Sequence, residues 1–288
     1  MEAITLSYIY QVSADKLWNA ITRPDEMKQW YFTIHDFELQ EGSVFTFYET
    51  ETGGAFLHRC MIRSIISGQK FEHTWEHPSH TKGISVLSWD IEAISENTSR
   101  LTLTHAGTEN FADGGPEFAT ENYIAGWKEI LGYSLRNYLY GIEKLIFETD
   151  IAAPKERVWE LLWGKESYQE WTSPFMAGSY FEGEFGQGKR VHLLSPTGEG
   201  LYSDILIYAE NEQLTFNLLG NLKNKEEQPL DAESEIWTGS RESYFLTDTP
   251  AGTRLRVQLD NQKEYGDQMN KAFPAALQIL KEMAEGRR

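Results

Sequence analysis

Ile4–Ile21 reads ITLSYIYQVSADKLWNAI, and Leu145–Leu162 reads LIFETDIAAPKERVWELL. The two align without a gap, and Trp18 and Trp30 recur as Trp159 and Trp171, each 141 residues on. Ile4, Leu6, Tyr8 and Tyr10 alternate with more polar neighbours, the period of a half-buried strand. Leu17, Trp18, Ala20 and Ile21 then form the apolar stripe of a short helix that starts near Ser13 and that Pro24 stops. A second short helix is expected over Asp25–Trp30. In the later copy Pro154 holds the helix start, where a missing N–H costs nothing. A strand running straight into a helix, twice, makes the chain two copies of one domain, 1–141 and 142–288.

Working outward, the first copy continues with expected strands at Ser43–Tyr48, Phe56–Ile66, Lys70–Glu76, Ile84–Ile94 and Arg100–His105. A long helix over Pro116–Tyr140 carries the stripe Trp127, Ile130, Leu131, Ser134, Leu135 and Tyr138. Gly141 ends it, and the next strand, Lys144–Ile151, follows almost at once with no Gly/Ser-rich linker. The second copy repeats the order, with strands near Lys189–Leu194, Leu201–Tyr208, Gln213–Leu218, Glu235–Thr247 and Thr253–Leu259. Gly220–Glu233 reads as an exposed polar loop. The last helix carries Met269, Phe273, Leu277 and Leu280, with Pro274 forcing a late start or a kink. The class is α+β: in each copy a curved antiparallel sheet wraps a long C-terminal helix, an arrangement that leaves room for a small apolar ligand.

Composition narrows the partners. Net charge is −18, from 26 basic and 44 acidic residues, which repels nucleic-acid phosphates and anionic membranes. The acidic surface leaves a basic protein partner open. Cys60 is the single cysteine, so neither a disulfide nor a thiolate cluster can form within the chain. No signal-peptide pattern and no long apolar run is seen, and a cytoplasmic location is expected.

Two motifs invite chemistry and fall short. Gly183–Arg190 spells G-x-x-x-x-G-K, but Arg190 stands where a Ser or Thr should hold magnesium, and a strand pattern follows instead of a helix. A tight turn between strands accounts for its glycines. His73, His77 and His80 have a ligand-like spacing, yet His73 reads as strand and Pro78 as turn, so the rings diverge into a solvated strand-end loop. No metal and no cofactor is expected.

The first copy resembles the activator of heat-shock-protein-90 ATPase homologue family, within the START-like (SRPBCC, helix-grip) superfamily. The residues that carry this are VSADKLWNAITRPDEMKQW at Val12–Trp30, SRLTLTHAG at Ser99–Gly107 and the Gly126–Trp127 pair. The second copy resembles the broader superfamily through APKERVWELL, GKRVHLLSPTGEGLYSDI at Gly188–Ile205 and GTRLRVQLD at Gly252–Asp260, with Ala272–Phe273 in place of Gly-Trp. The resemblance implies two tandem helix-grip domains with a hydrophobic pocket; members range from ligand binders to cyclases and co-chaperones, so fold does not settle function.

The expected function is binding of a small hydrophobic molecule between sheet and helix. The candidate cavity residues are Trp30, Phe32, Phe45, Phe47, Trp75, Trp89, His105, Trp127 and Leu131 in the first copy. In the second they are Trp171, Phe216, Trp237 and Phe273. Two alternatives stand beside it. One is a co-chaperone-like module acting on a chaperone ATPase. The other is a cyclase or hydrolase using His105, with Glu49, His73 or Asp90 nearby in the sheet. The copies differ where a cavity would be walled, so unequal pockets are expected.

Overall fold

A computed structural model describes residues 2–49 and 56–288. The chain divides into two compact units, Met1–Leu139 and Tyr140–Arg288. In the first unit β1 (Ile4–Tyr10) leads into α1 (Ala14–Thr22) and α2 (Pro24–Met27). Ser13 caps α1 by accepting from the Lys16 N–H at 3.2 Å, and Pro24 opens α2 at its first turn, where proline is tolerated. α2 ends at Met27, shorter than expected. Strands β2 (Val44–Tyr48), β3 (Leu57–Ile66), β4 (Lys70–Glu76), β5 (Ile84–Ser95) and β6 (Thr98–Ala106) follow. They form an antiparallel sheet in the order β1-β6-β5-β4-β3-β2. Register breaks at Ile62/Ser64 and Ala93/Ser95 bend the strands.

The long helix of this unit is not uniform. It runs as α3 (Thr120–Glu129), a π-helical segment at Ile130–Leu135 and α4 (Arg136–Tyr140), after two 3₁₀ turns at Thr108–Gly114 and Pro116–Phe118. The buried residues are Trp127, Leu131, Leu135 and Leu139, every fourth position. Ile130, Ser134 and Tyr138, expected on the same stripe, are only partly buried. A strict spacing of four would rotate off one side of an α-helix, and the wider π turn brings it back into line. The Tyr10 hydroxyl donates to the Leu131 carbonyl at 3.0 Å and so satisfies backbone in that segment.

In the second unit β7 (Ile142–Ile151) leads to α5 (Lys155–Trp163) and α6 (Lys165–Trp171), then β8 (Tyr180–Gly183), β9 (Arg190–Leu194), β10 (Gly200–Ala209) and β11 (Gln213–Lys223). β12 (Glu226–Glu227), α7 (Ser234–Trp237), β13 (Arg241–Thr249), β14 (Gly252–Gln262) and α8 (Gly266–Ala284) complete it. The antiparallel sheet runs β7-β14-β13-β11-β10-β9-β8, with β12 paired to β11. Three expectations are corrected. β11 extends to Lys223 and turns back through Asn224 and Lys225, both at positive φ, so Gly220–Glu233 is not simply a loop. Glu235–Trp237 is helical, and strand begins only at Arg241. α8 starts at Gly266 and contains Pro274 on an exposed face.

The repeated tryptophans play matching parts. Trp30 donates its indole N–H to the Ala20 carbonyl at 3.0 Å, and Trp171 donates to the Leu162 carbonyl at 3.1 Å. Each thereby stitches the end of its helical excursion to the preceding helix while burying a large ring. Ser99 to the Val12 carbonyl (2.9 Å) and Thr253 to the Ala153 carbonyl (2.7 Å) repeat a second tie, from sheet to helix entrance.

Candidate ligand-binding site

The interior of the first unit is built on indole–imidazole pairs. Period-2 alternation along β4, β5 and β6 turns His73, Trp75, Trp89, Leu101, Leu103 and His105 inward. The Trp127 N–H reaches His105 Nδ1 at 3.0 Å, the Trp89 N–H reaches His73 Nε2 at 3.3 Å, and the Trp75 N–H reaches His77 Nε2 at 3.2 Å. An indole only donates, so each of these ring nitrogens is unprotonated and the other carries the proton. His105 Nε2 then donates to Ser85 Oγ at 2.7 Å, and His73 Nδ1 donates to the Thr74 carbonyl at 2.8 Å. Burial, followed by the nearby His73 and His77, lowers the His105 pKa to about 3. Burial lowers His73 and His77 to about 4.

His105 is thus a hydrogen-bonded junction with both nitrogens taken. Asp90 lies on the opposite strand phase, 3.8 Å from the Lys70 ammonium, so it does not accompany His105. Nor is the His73–His80 stretch a solvated loop: His73 and His77 are buried, whereas His80 is exposed. His58, which the sequence reading passed over, completes the group. It stacks on Phe47 at 4.5 Å and meets His77 at 4.6 Å, and neither of its nitrogens has a partner among the described residues. The exposed sign of it was a histidine on the inward phase of β3, between buried Cys60 and Ile62 on one side and Phe47 across the ladder. Cys60 is itself fully buried, and burial pushes its thiol pKa up, which leaves it unreactive.

The first-unit candidates pack on one another. Phe32 stacks on Phe47 at 4.9 Å; Trp127 meets Trp75 at 5.4 Å and Trp89 at 5.6 Å, both edge-on. Leu131 is fully buried. Trp30, Phe45 and Trp89 border a space of about 10 Å³, the size of a single water.

The second unit holds a cavity of about 400 Å³. Trp171 from α6, Trp237 from α7, Phe273 from α8 and Tyr244 from β13 wall it, and the exposed Glu233 and Tyr265 mark its mouth. Phe216 is not part of the wall and packs edge-on against Trp163 at 5.6 Å. The approach of α7 is fixed locally: Ser234 and Asp231 exchange backbone-to-side-chain hydrogen bonds at 2.8 Å, and Gly239, at φ 84°, turns the chain back onto β11.

The floor is polar in one place. Glu242, on the inward phase of β13 with Tyr244 and Leu246, accepts a hydrogen bond from the Tyr244 hydroxyl. Burial raises its pKa, with the Tyr244 hydrogen bond opposing. Asp260 Oδ2 accepts from the Arg241 backbone N–H at 2.8 Å. Ser240, 2% exposed, lines the cavity with its hydroxyl unpartnered among the described residues. The sequence reading missed Glu242, Ser240 and Asp260 as site residues; a carboxyl on the apolar phase of a strand was the available signal.

Residues 11–140 match the family model described as activator of Hsp90 ATPase homolog 1-like protein, the family that the first copy resembles. No curated protein matches the chain. Among solved structures, the di-domain ARO/CYC protein StfQ from the steffimycin biosynthetic pathway is similar at 10% identity, with 99% of each chain covered and a TM-score of 0.41. DynU16, from the dynemicin biosynthetic locus, is similar at 14% identity over 99% of each chain, with a TM-score of 0.40. The Aha1 protein of Colwellia psychrerythraea is 16% identical over 51% of this chain and 98% of its own, with a TM-score of 0.39.

Proposed function

We propose that this protein binds a small hydrophobic molecule in the cavity of its second unit. The observation that carries this is the 400 Å³ space beside α8, walled by aromatic side chains and open at one side. Such a space stabilises an apolar occupant by about 25 cal/mol for each Å² removed from water, and its few polar groups orient what enters. The test uses Nile red, a neutral dye that brightens in apolar surroundings, with native mass spectrometry of the purified protein for any carried molecule. Saturable dye binding is expected, weakened about tenfold by Leu218→Trp, which fills the wall. Dye binding that is absent, or indifferent to this substitution, would remove the reading.

A second reading concerns the first unit alone. Its match to the activator family and its own acidic excess, 19 acidic against 10 basic residues over 1–139, favour docking on a basic face of a chaperone ATPase. Stimulation of a purified Hsp90 ATPase, declining as salt is raised, is the expected result; unchanged turnover at low salt would count against it. For chemistry at His105 the geometry offers no support, because both of its nitrogens are committed to protein partners.

A further inference from the structure

The polar lining of the second-unit cavity narrows the class of its occupant, given that the cavity is a ligand site at all. Three carboxyl side chains line it, Glu242, Asp260 and Glu233, while neither lysine nor arginine is found among the described residues of its wall. We infer that this cavity selects a hydrophobic molecule bearing a basic amine, whose ammonium group docks against Glu242 between aromatic faces.

Glu242 is the docking group because the other two carboxyls are placed differently. Asp260 is engaged by the Arg241 backbone N–H, and Glu233 lies at the exposed mouth, where solvent screens it. Glu242 accepts on Oε1 from the Tyr244 hydroxyl, the one hydrogen-bond partner of its carboxyl among the described residues, and its burial disfavours the charged form when the cavity holds no cation. A protonated amine reverses that balance, since an opposite charge in a poorly solvated site favours the carboxylate. The ammonium also brings several N–H donors, and the unpartnered Ser240 hydroxyl is a buried acceptor on the same wall. Trp171, Trp237, Tyr244 and Phe273 supply ring faces that attract a cation. An anionic occupant would meet three carboxyls with no compensating base. The surrounding charge of −18 adds a field that gathers cations toward the mouth.

Three probes with one apolar skeleton test it by calorimetry on the full chain: 2-naphthylmethylamine, 2-naphthylmethanol and 2-naphthoic acid. The amine is expected to bind about tenfold tighter than the alcohol, with the acid weakest. Glu242→Gln, which keeps shape and the Tyr244 bond, should cut amine affinity about tenfold and leave the alcohol within about twofold. Ser240→Ala, a smaller perturbation, should weaken the amine about threefold. Because Glu242 is one of 44 acidic residues, a loss confined to these variants reports the cavity and not the general field. Equal binding of amine and alcohol, or amine binding untouched by both variants, overturns the inference and leaves the cavity reading standing. Failure of all three probes together with failure of Nile red removes both.

Discussion

Three indole N–H groups donate to His73, His77 and His105 and favour their neutral form, and that choice has a cost in acid. His58 and His105 are lowered to about 3, and His73 and His77 to about 4, by burial. A histidine depressed in the folded state contributes full stability above its unfolded pKa of about 6.5 and loses it as pH falls toward the folded value. With four such groups, stability should fall below pH 6.5 with a slope of up to about 5 kcal/mol per pH unit. Urea unfolding at several pH values between 7 and 5 measures it, and a flat profile would contradict the buried neutral rings. His58→Phe should lessen the slope by one proton and, by removing two unpartnered nitrogens while keeping the stack on Phe47, raise stability at pH 7 by about 1 kcal/mol. Trp127→Phe strips the donor from His105 and leaves space beside Trp75; a loss of about 2–3 kcal/mol is expected in the same experiment.

At the scale of elements, the two long helices each break a rule and each break can be measured. The π segment of the first exposes the Leu131 carbonyl to Tyr10, so Tyr10→Phe should cost about 1 kcal/mol and speed hydrogen exchange between Ile130 and Leu135. In α8, Pro274 lacks the N–H that an interior helical position donates. Pro274→Ala, at an exposed site, should raise the second unit's melting temperature, with a gain of at most about 3 kcal/mol. Proline shows itself in any sequence, whereas the π turn was hidden. Trp127, Leu131 and Leu135 satisfy an α-helical stripe as well as a four-residue one, and only the burial of Leu139 with the partial exposure of Ile130 and Ser134 separates them. Strands were legible because alternation such as Leu101, Leu103, His105 has no competing reading. The β11 hairpin was not, since Asn224–Lys225 turns through positive φ without the glycine that usually announces such a turn.

Across the whole molecule the two interiors answer pH in opposite senses. A carboxyl whose folded pKa is raised, as burial does for Glu242, contributes stability below its unfolded value that is lost as pH rises through the folded one. Lowering pH from 7 toward the ordinary carboxyl range should therefore weaken protection in the first unit while strengthening it around β13, which hydrogen-exchange mass spectrometry resolves peptide by peptide. Glu242→Gln should abolish the second trend only. The duplication was readable at this scale because it lies in a contiguous stretch that recurs. The cavity was not: Trp171, Trp237, Glu242, Asp260 and Phe273 come from five separate elements, and nothing local marks which aromatic faces a void and which fills a core. The trio Trp75, Trp89 and Trp127 carries one more consequence, an optical one. Trp127 lies 5.4 Å from Trp75 and 5.6 Å from Trp89, and indoles this close couple their electronic transitions. Trp159 and Trp163 form a similar edge-on pair at 6.1 Å in the second unit, so the far-ultraviolet dichroism of the nine tryptophans should carry coupled contributions from both places, and Trp127→Phe should diminish it by the trio's share alone.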